Sequence, residues 1–232
     1  MTTALLCALG GYLVGSIPVG LLIGLARGVD IRRHGSGNIG ATNAGRVLGK
    51  RFGLLCFALD MLKGLVPALV CGWLLGTLGR LDLPPQRTFT WLAVAACPML
   101  GHIFPIWLRF KGGKGISTGL GVMLGVFPVL TIAAAGAAGV WAFALRLTRM
   151  VGISSVAAAL SMPLTVGIIA LAAPAADGRG PLWPYAAVTG VLALLTVWTH
   201  RGNIQRTIAG TEPRIGARSH RDQPRGTPAD SR

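Results

Sequence analysis

Acidic side chains are scarce in this sequence. Seven Asp and Glu stand against 22 Lys and Arg in 232 residues, and all charged residues together make up 12%. None of the acids is paired at ligand spacing, so no divalent metal is expected, and a metal-assisted phosphotransferase acting on a lipid phosphate is disfavoured. Aromatics are also few, at 6%, and the four cysteines, Cys7, Cys56, Cys71 and Cys97, form no Cys-x-x-Cys pair and no Cys/His cluster. A disulfide scaffold is excluded, and the thiols read as buried and inert. No basic stretch precedes the first apolar run and no clear cleavage site follows it. That run is expected to stay as a membrane helix and not to be removed as a signal peptide.

What the chain has in excess is apolar surface: 52% of its residues are hydrophobic and the mean hydropathy is +0.62. A soluble globular domain does not have this profile. The net charge of +15 would suit nucleic acid in a polar chain, but in an apolar one basic residues mark cytoplasmic loops. The expected partner is the lipid bilayer, with no nucleic acid. The 34 Gly and 14 Pro lie largely within or beside apolar runs, where membrane helices tolerate them.

Runs free of Asp, Glu, Lys and Arg are Ala4–Leu25, Thr88–Leu108, Gly115–Leu145, Met150–Ala176 and Gly180–Thr199, joined by Phe52–Gly79, which Asp60 and Lys63 interrupt. A spanning helix needs about 20 residues. Gly115–Leu145 overshoots one span and undershoots two, with Phe127-Pro128 near its middle. Loop charge decides the count. Reading this run as a two-helix hairpin puts 18 Lys and Arg on one side of the membrane and three on the other, whereas one span leaves ten against eleven. The positive-inside rule favours the first. The expectation is an all-α integral membrane protein of about seven transmembrane helices, N-terminus outside and C-terminus cytoplasmic, the fourth and fifth spans short at about 23 Å each. Residues 1–212 form one polytopic membrane domain, and 213–232 form a basic, disordered cytoplasmic tail drawn to anionic headgroups.

Three polar segments then share the cytoplasmic side: Asp30–Arg46 (DIRRHGSGNIGATNAGR), Lys111–Thr118 (KGGKGIST) and His200–Glu212 (HRGNIQRTIAGTE). Separate loops converging on one compartment can build a single site. The first contains Gly35-Ser36-Gly37-Asn38-Ile39-Gly40, which satisfies G-x-G-x-x-G, but no strand leads into it and Asp60 lies in the next helix, so it is no dinucleotide fingerprint. A Gly-rich turn built on Gly35, Gly37 and Gly40 still lets backbone N–H groups approach an anion, with Ser36, Asn38, Thr42 and Asn43 as side-chain partners. The second fails the Walker A pattern because Gly115 follows Gly113-Lys114. Lys111, Gly112, Gly113 and Lys114 nevertheless form a basic turn opening a helix, with Ser117 and Thr118 placed to cap it. In the third, His200 and Asn203 share one helix face. Asp60 and Lys63 are expected to neutralise each other or to reach Arg46 or the site.

These motifs resemble one family, the bacterial PlsY-type acyl-phosphate:glycerol-3-phosphate acyltransferases. The resemblance rests on Gly15-Ser16-Ile17-Pro18, the run GSGNIGATN at Gly35–Asn43, Asp60-Met61-Leu62-Lys63-Gly64, His102–Phe104 leading into FKGGKGIS at Phe110–Ser117, and His200-Arg201-Gly202-Asn203-Ile204 with Gly210-Thr211-Glu212. It covers about residues 10–215. It implies a seven-helix bundle, an acyl-phosphate donor, and glycerol 3-phosphate as acceptor, giving 1-acyl-glycerol 3-phosphate and phosphate as the first step of phospholipid synthesis in the bacterial inner membrane. It also implies that the Ser36–Asn43 loop holds the donor phosphate, and that Ser36, Arg46, Lys114, His200 and Asn203 bind substrate or support transfer. Gly202 departs from the acidic residue often found there, removing a charge beside His200. No cofactor is implied. The donor can come laterally from the inner leaflet or from the soluble enzyme that makes it, and the sequence leaves both routes open.

Neither a protein base nor a covalent nucleophile stands out, and acyl phosphate is already activated. Direct attack by the acceptor hydroxyl is expected, with the proton going to a substrate phosphate oxygen and charge stabilisation supplying most of the rate. None of the four histidines has an Asp five residues on, so the His-x4-Asp acyltransferases are disfavoured. The rival reading is a small organic-phosphate transporter gated by Asp60 and Lys63. The bare outer loops and the absence of an internal repeat speak against it.

Overall fold

Lipid offers no hydrogen bonds, so a spanning backbone must satisfy itself, and in this chain it does so with helices. The computed structural model describes residues 1–172 and 180–215, and among these there are ten α-helices and no strand. The helices α1 (Thr2–Gly15) and α2 (Val19–Ala26) form one 25-residue apolar stretch broken at Ser16-Ile17-Pro18, where Pro18 lacks the N–H that would continue the ladder. A polar loop and the short α3 (Ala41–Leu48) follow, then α4 (Lys50–Leu74), α5 (Pro85–Ile103), α6 (Ile116–Gly125), α7 (Val129–Thr148), α8 (Val151–Ala172), α9 (Trp183–Thr199) and α10 (Arg201–Ile208). Five stretches are long and apolar enough to cross a membrane: α1–α2, α4, Pro85–Leu108, α7 and α8. Two further apolar helices are shorter, α6 with 10 residues and α9 with 17.

The ambiguous run does divide at Phe127-Pro128, but unequally. The expected pair of 23 Å helices is replaced by a 10-residue α6 and a 20-residue α7, about 15 Å and 30 Å long. The reason is packing. The helix α6 lies against α4, where a Cβ on Gly64 would strike Thr118 O and one on Gly121 would strike Met61 O. The same device joins α1 to α5, where Gly15 faces Pro98 O and Gly101 faces Tyr12 O. Small residues let helix backbones approach closely in the absence of a hydrophobic drive between apolar helices.

Trp91, Leu92, Val126, Leu130 and Val166 form the fully buried centre. The outside is apolar too: Leu164, Ile168 and Leu171 on α8 and Val191 and Leu194 on α9 are all exposed, as a lipid-facing surface requires and an aqueous one avoids. Between the helix ends away from the polar segments, Gly180 N–H donates to Leu81 O at 2.7 Å. Asp177 and Arg179 of the expected outer loop, and residues 216–232 of the expected tail, lie outside the described residues. Ile215, inside that expected tail, donates its N–H to Arg149 O at 2.8 Å.

Candidate active site

The first polar segment is shaped from within. Asp30 opens a single 3-10 turn, Ile31–Arg33, by accepting Arg32 N–H at 3.0 Å and the Arg32 guanidinium at 2.9 and 2.8 Å. Those bonds hold its carboxyl down at about 2. Gly35 and Gly37 then take positive φ, 61° and 70°, which glycine adopts freely. Asn43, 1% exposed, reaches back from α3: its Oδ1 accepts Ser36 N–H at 2.8 Å and its Nδ2 donates to Ile31 O at 2.9 Å and His34 O at 3.2 Å. Asn43 was expected to bind substrate; in the structure its amide holds the loop together. The N–H groups of Gly37 and Gly40 are likewise taken, by His34 O and Asn38 Oδ1. What the loop presents outward is Ser36, Thr42 and Arg46, all exposed, beside the α3 N-terminus, which no side chain caps.

The second segment departs from expectation in a similar way. Lys111, exposed, donates its N–H to Leu108 O, Gly112 to Ile103 O at 3.1 Å, and Gly113 to His102 O at 3.0 Å. The N–H groups of Gly112 and Gly113 are thus engaged with carbonyls of α5, which lays the turn against that helix. The expected Ser117/Thr118 cap is also absent: the residue before α6 is Gly115, with φ 80° and no side chain to cap the helix, and Thr118 is fully buried with Oγ1 unpartnered.

Lys114 is where the segments meet. Its amine donates to Asn203 Oδ1 on α10, and Thr199 Oγ1 bonds its carbonyl at 3.4 Å. Asn203 Nδ2 donates to the buried Glu212, whose other carboxylate oxygen accepts Arg206 Nε at 2.8 Å. Asn203 therefore spends both ends of its amide holding Lys114 and Glu212. Glu212 and Arg206, which were not singled out as site residues, complete the cluster; the signal was an acid among the few in the chain, set in a basic segment. Burial lowers the Lys114 amine to about 8, with Arg206 and Arg46 adding to the effect and Glu212 opposing it. Arg46 thus brings the first segment within electrostatic reach of the other two.

His200, 2% exposed, sits between α9 and α10 with Nδ1 2.9 Å from Thr196 O. A carbonyl only accepts, so Nδ1 carries the proton and Nε2 is the free lone pair. Burial and the Lys114 charge push the ring down to about 4. It is neutral at pH 7.

Asp60 and Lys63 do neutralise each other. Lys63 Nζ lies 2.9 Å from Asp60 Oδ1 and donates to Ile17 O at 2.7 Å. The pair turns to His102 on α5, whose Nδ1 stands 3.6 Å from Asp60 Oδ1, and makes no contact with Arg46 among the described residues.

Comparison with known proteins agrees over nearly the whole chain. The family model for glycerol-3-phosphate acyltransferase matches residues 5–210. Curated proteins of that name are similar at 41% identity in Thermosynechococcus vestitus, over 94% of this chain and 99% of that protein, and at 43% in Geobacter metallireducens, over 94% and 100%. Two crystal structures of PlsY (YgiH), an integral membrane glycerol 3-phosphate acyltransferase, are similar at 35% identity. The glycerol 3-phosphate form has a TM-score of 0.78 over 92% of this chain and 96% of that one, and the lysophosphatidic acid form 0.76 over 92% and 95%.

Proposed function

The chain belongs to the glycerol-3-phosphate acyltransferase family, and we propose that it moves an acyl group from acyl phosphate to the sn-1 hydroxyl of glycerol 3-phosphate at the cytoplasmic face of the bacterial inner membrane. One observation carries this reading: Lys114, within charge reach of Arg46 and Arg206, acts in turn on a buried neutral His200 at the end of a lipid-facing bundle. Cations suit two phosphate substrates, and the adjoining apolar surface suits an acyl tail. The seven-span arrangement, N-terminus outside, is part of the proposal, with α6 and α9 as the shorter spans. Nothing in the site favours the organic-phosphate transporter.

In this mechanism Ser36, Thr42 and Arg46, with the uncapped first turn of α3, receive the donor phosphate. Lys114, aimed by Asn203 and Glu212, receives charge developing on the reacting phosphate. The acceptor oxygen bonds to the acyl carbon, the bond from that carbon to the phosphate oxygen breaks, and the hydroxyl proton passes to a phosphate oxygen. A ring titrating at about 4 is a weak base, which favours an orienting role for His200 through Nε2.

The test is phosphate release by the purified protein in detergent, given palmitoyl phosphate and glycerol 3-phosphate, beside acyl-CoA and acyl carrier protein thioesters. Release that requires glycerol 3-phosphate, yields lysophosphatidate, fails with thioesters and drops by about a hundredfold in Ser36→Ala is expected. Thioester-supported product would overturn the donor assignment, and absence of any product from folded protein would overturn the reaction.

A further inference from the structure

We propose that Asp60, Lys63 and His102 form a buried clamp that fixes the first substrate loop relative to the second, making them positioning residues for acyl transfer. The proposal rests on the reading of those two loops as the substrate loops.

Side chains of Asp60, Lys63 and His102 are 2%, 6% and 4% exposed and lie among apolar helices. One arm of the clamp runs through Lys63 to Ile17 O at 2.7 Å, in the break between α1 and α2. Just beyond that break, Gly20 packs so closely on the first loop that a Cβ would strike Ile39 O. The other arm runs through His102. Its Nδ1 faces Asp60 Oδ1 at 3.6 Å, too long for a hydrogen bond, and that nitrogen has no hydrogen bond elsewhere among the described residues. Its Nε2 occupies the position a Cβ on Gly113 would take, and its carbonyl accepts Gly113 N–H at 3.0 Å. The residue after Gly113 is Lys114. The ring is thus wedged between the carboxylate on α4 and the turn that carries the site lysine.

Bundle stability alone gives no reason for this arrangement, because well-packed apolar side chains generally match or exceed a buried ion pair in stability. A fixed geometry is what such a pair can add. The ion pair on α4 faces groups from two other places in the chain, Ile17 O through Lys63 and His102 through Asp60, and each of those leads directly to one of the two loops. Movement of either arm therefore shifts Lys114 relative to Ser36 and Arg46.

The experiment compares His102→Leu, His102→Asn, the charge-balanced pair Asp60→Asn/Lys63→Met, and that pair combined with His102→Leu, all as full-length protein in detergent. The double change avoids leaving one buried charge alone. Expected for His102→Leu and for the double change is a KM for glycerol 3-phosphate raised about tenfold, kcat within about threefold, and an unchanged melting temperature. The triple variant loses no more than either alone, since one clamp is broken once. His102→Asn, which keeps a donor near the Nδ1 position, recovers part of the loss. In parallel, acetic anhydride labelling read by mass spectrometry reports Lys114 against exposed Lys50. Lys114 should label several times faster in the broken-clamp variants. Unchanged labelling overturns the clamp even if the wild-type protein shows no turnover, the result that would sink the acyltransfer reading instead. Additive effects, or a lower melting temperature with KM intact, also overturn it.

Discussion

At the scale of single residues, Lys114 links structure to pH. Its amine carries charge below about 8 and loses it as pH rises through that value. A phosphate-binding cation is therefore mostly present at pH 7 and reduced to about a tenth at pH 9, so kcat/KM should fall about tenfold per pH unit well above 8. His200, already neutral well above 4, should contribute no acid limb between pH 5 and 7. Lys114→Arg, permanently charged, should lose the alkaline limb while turning over more slowly, because a planar guanidinium does not fit the contact made by a point-like amine. A limb that survives in Lys114→Arg would assign it to another group. Residues 111–118 also show where local reading stops. That the segment is basic and Gly-rich is plain in the sequence, but that Gly112 and Gly113 spend their N–H groups on Ile103 and His102 depends on how the turn folds back on α5.

At the scale of elements, the glycines that set helix spacing differ sharply from those that do not. Gly121 in α6 abuts Met61 O, whereas Gly139 in α7 has open space where a Cβ would go. Gly121→Val should cost about 3 kcal/mol or more by prising α6 from α4, visible as a large drop in melting temperature in detergent. Gly139→Ala should be neutral or gain up to about 1 kcal/mol from helix propensity. Equal melting temperatures for the two would show that the α4–α6 contact is not as tight as described. The break at Phe127-Pro128 was legible because proline interrupts a helix, while its unequal division was not, because the length of α6 follows from its packing on α4. The Ser117/Thr118 cap failed for a related reason: Thr118 is drawn into the α4 interface and cannot turn back to the helix end.

At the scale of the whole molecule, the bundle is polar at one end and apolar along its sides, and the orientation proposed for it rests on loop charge. In a variant with the four cysteines replaced, Gln86→Cys at the start of α5 should react with a membrane-impermeant maleimide in intact spheroplasts. Arg33→Cys in the first polar segment should react only after permeabilisation. Both positions are exposed, so the reverse pattern would invert the topology and place the site outside.

Membrane residence, the polar segments and their excess of Lys and Arg over acid were determined by the sequence alone. The physical reason is that desolvation of side chains and backbone is paid locally, residue by residue along each run, so composition in a window records it. Only the tertiary structure decided that Lys114 meets Asn203, 89 residues later, that Asn203 is backed by Glu212, that Asn43 is consumed in shaping its own loop, and that Asp60 turns to His102. Those pairings depend on which helix faces touch and at what register. That register is set by steric fit between small residues on different helices, which no periodicity within one segment encodes.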